Sequence, residues 1–222
     1  MIENAIQIIC VYAIPLIFAI TLHEAAHGWA AKKLGDDTAW ILGRVTANPV
    51  PHIDPVGTVL VPGALVLMSA LTGGAGFVFG WAKPVPVNPN YFRKPKQGMA
   101  ITALAGPISN ILLAVLFLEI GKVIYLYAPY SDGMNTFFDW CLFTVAPMSV
   151  GMGLFNLIPI PPLDGSKVLF SLLPDRAYNT MLRYERYGML LLWAVVLLGV
   201  GDKWMSAAIQ WTYELFCRVV GF

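Results

Sequence analysis

Two histidines and a glutamate lie within five residues near the N-terminus, in the run His23-Glu24-Ala25-Ala26-His27. At 3.6 residues per helical turn, His23 and His27 lie one above the other on a single helix face, so both imidazoles can bind one metal ion. Glu24 lies about 100° around the helix from His23. From there it can contact a metal-bound water, which is the position of a general base. The chain has only three histidines, and residue frequencies give this pattern a chance likelihood of roughly one in a thousand.

The composition predicts a membrane protein. Hydrophobic residues make up 58% of the chain and charged residues 12%, whereas soluble proteins average about a quarter charged residues. We therefore expect one integral-membrane domain over residues 1–222, in contact with the lipid bilayer. The formal net charge of +1 gives no reason to expect a nucleic-acid partner. The three cysteines have no paired spacing, so neither a disulfide nor a thiolate zinc site is expected.

Apolar runs of the length of a transmembrane helix, about 20 residues, recur along the chain. They predict an all-α, polytopic protein of about five to six transmembrane helices, with short extended or re-entrant segments near the membrane interface. The first run lacks the basic start and small-residue cleavage site of a signal peptide, so we expect a retained span. The predicted spans are 6–34, 56–79, 99–127, 136–157 and 187–200, and 204–220 is either a short span or an interfacial helix.

Loop charges predict the orientation. The connection before the third span carries Lys83, Arg93, Lys94 and Lys96 without an acid, whereas Asp132 and Asp139 follow that span without a base. The positive-inside rule places the first connection in the cytoplasm and the second outside. Lys32 and Lys33 fit this scheme only if 56–79 is re-entrant, which its one proline and its glycines permit where backbone is buried in protein.

A catalytic zinc site needs a third protein ligand and an open position for water. His52, Glu119, Asp164 and Glu185 are the candidates near apolar segments. Asp164 is preferred because three prolines break the helix just before it and Gly165 follows it. A helix break at membrane depth is costly unless it lines a polar cavity. The alternative is a span that ends in an interfacial, proline-rich turn.

Four runs together resemble the site-2 protease family of intramembrane zinc metalloproteases, in its small prokaryotic form. They are residues 23–27 (HEAAH), 52–58 (HIDPVGT), 105–110 (AGPISN) and 156–165 (NLIPIPPLDG). The resemblance covers residues 22–167, in the expected order. No inserted PDZ-like domain and no appended nucleotide-sensing domain is recognised.

The resemblance implies a site and a setting. It implies one zinc ion held by His23, His27 and Asp164, with Glu24 as the catalytic glutamate. Asn156 matches the asparagine that engages substrate in the family, while Asn110 and His52 are candidates for contacting substrate or stabilising the oxyanion. It also implies a multi-pass protein of the prokaryotic inner membrane whose substrates are transmembrane proteins.

Two other functions remain open at the level of the sequence. One is a membrane metal-ion transporter, although such a protein should have further ligands along its path. The other is a membrane metalloprotease that cuts soluble peptides and uses Glu119 or Glu185 as its third ligand. Residues 43–49 and 83–89 contain β-branched residues between turn formers, so they are either strand edges for pairing with an unwound substrate or plain connecting loops.

Overall fold

The computed structural model describes residues 9–72 and 80–222, and within these ranges the chain forms helices and loops without a strand. The predicted all-α fold class is therefore confirmed. The α-helices in these ranges are α1 Ile14–Lys33, α2 Thr38–Ile41, α3 Val61–Thr72, α4 Pro95–Tyr127, α5 Asp132–Trp140, α6 Ala146–Asn156, α7 Asp164–Ser171, α8 Asp175–Tyr184, α9 Gly188–Leu197 and α10 Asp202–Val220. The π-helical turns are Ile9–Ala13, Pro55–Leu60 and Cys141–Val145, and the 3-10 turns are Val50–His52, Pro89–Tyr91 and Glu185–Tyr187.

Helix α4 is the central element, because α1, α6 and α7 all pack against it. Small residues on its buried face let these helices approach closely. The turn just before α6 is equally close, since a Cβ atom at Gly121 would lie 2.2 Å from Cδ1 of Leu142. Helix α10 packs on α6, and its last residue, Val220, joins a buried apolar cluster with Leu118 and Val150.

Two helical segments in the described part of the chain are long and apolar enough to cross a membrane, Pro95–Tyr127 and Asp132–Asn156. They coincide with the predicted spans 99–127 and 136–157. The first predicted span corresponds to α1, and its residues before 9 lie outside the described part. The second begins in the turn Pro55–Leu60 and continues as α3, while residues 73–79 of that prediction lie outside the described part. The last two apolar runs form α9 and α10.

The helix break predicted before Asp164 is present between α6 and α7. Helix α6 ends at Asn156 and α7 begins at Asp164, with Pro159, Pro161 and Pro162 between them. Prolines cannot continue a helix because they lack the N–H and clash with the preceding turn. A Cβ at Gly165 would lie 2.0 Å from the carbonyl oxygen of Leu157. The absence of a side chain there lets the chain fold back and bring Asp164 toward α4.

The two segments predicted as strand edges or loops are loops. Residues 43–49 form turns and bends, and residues 83–88 have no regular structure. Proline accounts for the second case, because residues 84, 86 and 89 lack the N–H that a strand ladder needs.

Candidate metal centre

His23 and His27 project from α1 toward α4, as their helical spacing predicts. Their ring centroids lie 4.6 Å apart and the ring planes are nearly perpendicular, at 88°. Both side chains are buried, with 4% and 8% of their surface exposed. Buried imidazoles of this kind need polar partners, because an unpaired polar group in the interior is costly.

Asp164 supplies the third polar group although it lies 141 residues beyond His23. Its Oδ2 atom is 3.0 Å from Nε2 of His23 and 3.1 Å from Nε2 of His27. One potential ligand atom from each residue lies within 4.8 Å of the other two. Lys167, one helical turn further along α7, places its Nζ atom 3.3 Å from Oδ1, the other carboxylate oxygen.

The surroundings of this group fit a metal ion. A Cβ at Gly106 of α4 would lie 2.5 Å from Nε2 of His23 and 2.6 Å from Cε1 of His27. Only a residue without a side chain leaves the ligand atoms free at this point. Two imidazole nitrogens and one carboxylate oxygen are a donor set that catalytic zinc accepts, with a fourth position open.

The Nδ1 atom of each imidazole, which points away from Asp164, also has a polar partner. Nδ1 of His27 lies 2.7 Å from the carbonyl oxygen of Thr102, and since a carbonyl only accepts, this nitrogen carries the proton. Nε2 of His27 therefore presents its lone pair to the metal position. Nδ1 of His23 lies 3.1 Å from Nδ2 of Asn110, whose Oδ1 has no partner in the described part of the chain. Turning this amide by 180° keeps its shape and gives His23 the same tautomer.

Glu24 lies beside the metal ligands and is held by the backbone of a distant loop. Its Oε2 atom accepts a hydrogen bond of 2.9 Å from the backbone N–H of Val85. The carboxylate is half-buried and does not belong to the group of three potential ligands. The sequence predicts a general base that is distinct from the metal ligands, and the position of Glu24 is compatible with that prediction.

The other predicted candidates lie in different places. Asn110 is fully buried and contacts His23, whereas Asn156 donates to the carbonyl oxygen of Met152 in its own helix, at 3.0 Å. His52 is also buried, and its Nε2 atom lies 3.3 Å from the carbonyl oxygen of Thr46. Burial lowers the pKa of His52, and the nearby Arg44 guanidinium lowers it further. Glu119 is exposed on α4, and neither it nor Glu185 belongs to the ligand group formed by the described residues.

Several groups that shape the site are absent from the sequence-based prediction. The carbonyl of Thr102 and the N–H of Val85 are backbone groups, which every residue has, so no sequence pattern reveals them. Gly106 does lie within one of the four family-like runs, but the sequence gives no indication that it faces the two imidazoles. Arg44 donates to the loop that contains Val85. Because an arginine is not a metal ligand, the sequence patterns used to find the site do not indicate it.

Comparisons with known proteins agree on one family. The model of peptidase family M50 matches residues 117–199. A Bacillus subtilis protein named "Putative zinc metalloprotease YwhC" is 37% identical over 182 residues, which are 80% of this chain and 75% of that protein. Rip2 of Mycolicibacterium smegmatis, which has the same description, is 26% identical over 198 residues, or 89% of this chain and 71% of that protein. No solved structure matches the chain. Because the alignment to YwhC spans most of both proteins at this identity, the chain belongs to peptidase family M50, the site-2 protease family of zinc metalloproteases.

Proposed function

We propose that this chain is an intramembrane metalloprotease that hydrolyses peptide bonds within or near the transmembrane segments of membrane proteins. His23, His27 and Asp164 hold one zinc ion, and Glu24 is the general base. The observation that carries the proposal is the convergence of these three residues beside a separately held glutamate, in a protein whose helices expose many large apolar side chains. Membership of a zinc metalloprotease family supports the choice of metal.

The chemistry divides between the ion and the chain. Zinc, when bound, polarises a carbonyl oxygen and lowers the pKa of water to about 7. Glu24 removes the proton from the attacking water and later delivers it to the leaving amine. The hydrogen bond from Val85 to Oε2 leaves Oε1 of Glu24 available for that proton. Asn156, Asn110 and His52 stay our candidates for contacting substrate or the oxyanion, and the contacts above favour an orienting role for Asn110.

The distribution of side chains on α4 supports a membrane setting. Its buried face carries small and polar residues, including Thr102, Gly106 and Asn110. Its outer face exposes large apolar side chains, each between 51% and 64% exposed: Ile101, Ile108, Leu112, Leu116 and Val123. In water such a face would be unfavourable, whereas in lipid it is the expected arrangement. We therefore propose a multi-pass protein of a prokaryotic inner membrane with five to six membrane segments, a number that includes 56–79 whether it crosses fully or is re-entrant.

A membrane setting also constrains the substrate. In an intact transmembrane helix, intrahelical hydrogen bonds engage each peptide carbonyl. The substrate must unwind locally before the carbonyl can reach the metal and Glu24. Transmembrane segments that contain glycine or proline near the scissile bond should therefore be cleaved more readily than uniform leucine helices.

The test compares purified wild type with Glu24→Gln, Asp164→Ala and the control Glu119→Gln, which makes the same change at an exposed glutamate of α4. Zinc content is measured by elemental analysis, and cleavage is measured on a transmembrane peptide in detergent and on a soluble peptide. We expect Glu24→Gln to keep zinc and to lose cleavage by about 10²-fold or more. Asp164→Ala should lose zinc, and Glu119→Gln should match wild type.

Each alternative makes a different prediction in the same experiment. Full cleavage by Glu24→Gln would contradict the assignment of the base. Zinc loss in Glu119→Gln, together with cleavage of only the soluble peptide, would support the protease with a glutamate ligand. Zinc uptake into sealed vesicles by the Glu24→Gln variant, without peptide cleavage by the wild type, would support a transporter.

A further inference from the structure

A proline-rich segment, Lys83–Asn88, lies along the site, and we call it the strap. Prolines occupy positions 84 and 86, so its only backbone N–H groups are those of Lys83, Val85, Val87 and Asn88. The N–H of Val85 donates to Oε2 of Glu24 at 2.9 Å. The Val85 side chain is buried against α1, where a Cβ on Gly28 would lie 3.3 Å from it. The strap therefore touches α1 one helical turn from Glu24 and also binds Glu24 itself.

Arg44 fixes the first half of the strap. Its side chain is only 7% exposed, and its Nη2 atom donates to the carbonyl oxygens of Lys83 at 2.8 Å and Pro84 at 3.0 Å. Its Nη1 atom donates to the carbonyl oxygen of Pro51. One guanidinium thus joins the strap to the turn that contains Pro51. A planar fork of donors suits this task, whereas a lysine ammonium does not have the same fixed geometry.

Other bonds hold the strap at both ends. The backbone N–H of Lys83 donates to the carbonyl oxygen of His52 at 2.9 Å, and that of Asn88 donates to Oδ2 of Asp36 at 2.6 Å. Arg44 binds the two carbonyls directly before Val85, so it is the contact closest to the donor that Glu24 uses. A shift of the strap at this point changes the position of the Val85 N–H.

We propose that Arg44 is a positioning residue for the proteolytic reaction, because it fixes the strap whose Val85 N–H orients the Glu24 carboxylate. This inference rests on the proposed function, in which Glu24 is the base. Free rotation of the Glu24 side chain would reduce the fraction of time in which Oε1 faces the attacking water. Small displacements of a catalytic group can lower the rate by about 10²-fold. The metal ligands are on α1 and α7 and do not touch Arg44, so metal binding should not depend on it.

Two variants test the proposal from opposite ends of the interaction. Arg44→Lys keeps the positive charge and removes the fork of donors, and Val85→Pro removes the N–H that reaches Glu24. For both we expect kcat to fall by about 10- to 100-fold, with KM and zinc content within twofold of wild type. Arg93→Lys is the matched control for the arginine change, because Arg93 is exposed on the same connection. Val85→Ala keeps the N–H, so it should lose less activity than Val85→Pro.

Hydrogen exchange gives a measurement that does not depend on activity. A peptide that covers residues 84–89 contains only the amides of Val85, Val87 and Asn88, because its other residues are prolines. We expect Arg44→Lys to accelerate exchange of one or more of these amides, and Arg93→Lys to leave exchange unchanged. Unchanged exchange together with wild-type kcat in Arg44→Lys would overturn the proposal.

The double variant separates a positioning role from a general loss of structure. If Arg44 acts through the Val85 N–H, Arg44→Lys combined with Val85→Pro should be no slower than the slower single variant. Multiplied losses, or zinc loss in Arg44→Lys, would overturn the proposal. If Glu24→Gln retains full cleavage, the proposed function itself fails. If Glu24→Gln is inactive while Arg44→Lys and Val85→Pro keep wild-type kcat, only the role of Arg44 fails.

Discussion

At the scale of single residues, the orientation of the two imidazoles depends on groups behind them. His27 has the carbonyl of Thr102, and His23 has the amide of Asn110. In metal sites such partners fix the tautomer and ring orientation of a ligating histidine, and their loss typically lowers metal affinity by about 10- to 100-fold. Of these two partners only Asn110 is a side chain, so it can be replaced while all three proposed ligands keep their identity.

We therefore predict that Asn110→Leu weakens zinc binding by about 10- to 100-fold, because Nδ1 of His23 loses its partner. Asn110→Asp, which keeps an acceptor oxygen, should retain most of the affinity. Chelator competition on purified protein measures both. Ser149→Ala changes another buried polar side chain and serves as the control. Wild-type affinity in Asn110→Leu would instead leave Asn110 as a residue that acts on substrate.

The sequence predicted the residues whose chemistry is distinctive. Histidine spacing indicated His23 and His27, and the proline-rich break with the family resemblance indicated Asp164. The structure brings these three together. The sequence could not predict that Gly106 faces the imidazoles or that Val85 holds Glu24, since both depend on how distant segments pack.

At the scale of elements, the three proposed metal ligands lie on two helices that are far apart in sequence. His23 and His27 belong to α1 and Asp164 to α7, and both helices pack against α4. A bound ion would add a direct link between them. Ligands that bind only the folded state stabilise it by mass action, by about 2.7 kcal/mol at a free concentration of 100 times Kd.

We accordingly predict that zinc raises the melting temperature of the detergent-solubilised protein by about 5 to 10 °C over the chelated form. Differential scanning fluorimetry measures the shift. Asp164→Ala should lose the response, whereas Glu24→Gln should keep it because Glu24 is not among the ligands. An equal shift in wild type and Asp164→Ala would show that zinc binds elsewhere.

Helix boundaries followed from the sequence where apolar runs were uninterrupted, as for α4 and the segment from α5 to α6. Prediction was weaker in the connections. The β-branched residues at 43–49 and 83–89 are compatible with strand edges as well as with loops, so the sequence did not distinguish the two. Prolines removed the donors that a strand would use. Side chains bind the strap's backbone in place of a partner strand. Arg44 donates to two of its carbonyl oxygens, and Asp36 accepts from one of its N–H groups.

At the scale of the whole molecule, the positions of the two ends of the second apolar run, 56–79, bear on whether this run crosses the membrane. The N–H of Trp81 donates to the carbonyl oxygen of Gly57 at 3.1 Å, and Oγ1 of Thr58 donates to the carbonyl oxygen of Trp81 at 2.9 Å. Residues 57 and 58, at the start of this run, therefore lie next to Trp81, just after its end. A segment that crossed the membrane once would have its ends about 30 Å apart.

This geometry favours a re-entrant segment over a full crossing. A re-entrant segment would leave Lys32 and Lys33 on the same side as Arg93, Lys94 and Lys96. The connections that carry Lys32 and Lys33 and Lys83 to Lys96 would then both face the cytoplasm, in agreement with the positive-inside rule.

We predict that cysteines introduced at Lys33 and Arg93 are labelled from the cytoplasmic side and that one introduced at Gly133 is labelled from the opposite side. All three positions are exposed, and a Cβ at Gly133 meets no atom within 4 Å. The background carries alanine in place of Cys10, Cys141 and Cys217, and cells are treated with a membrane-impermeant maleimide before or after lysis. Zinc content of each variant controls for folding. If Lys33→Cys is instead labelled in intact cells, like Gly133→Cys, then 56–79 crosses the membrane. The re-entrant and the fully crossing topologies differ only in this one crossing.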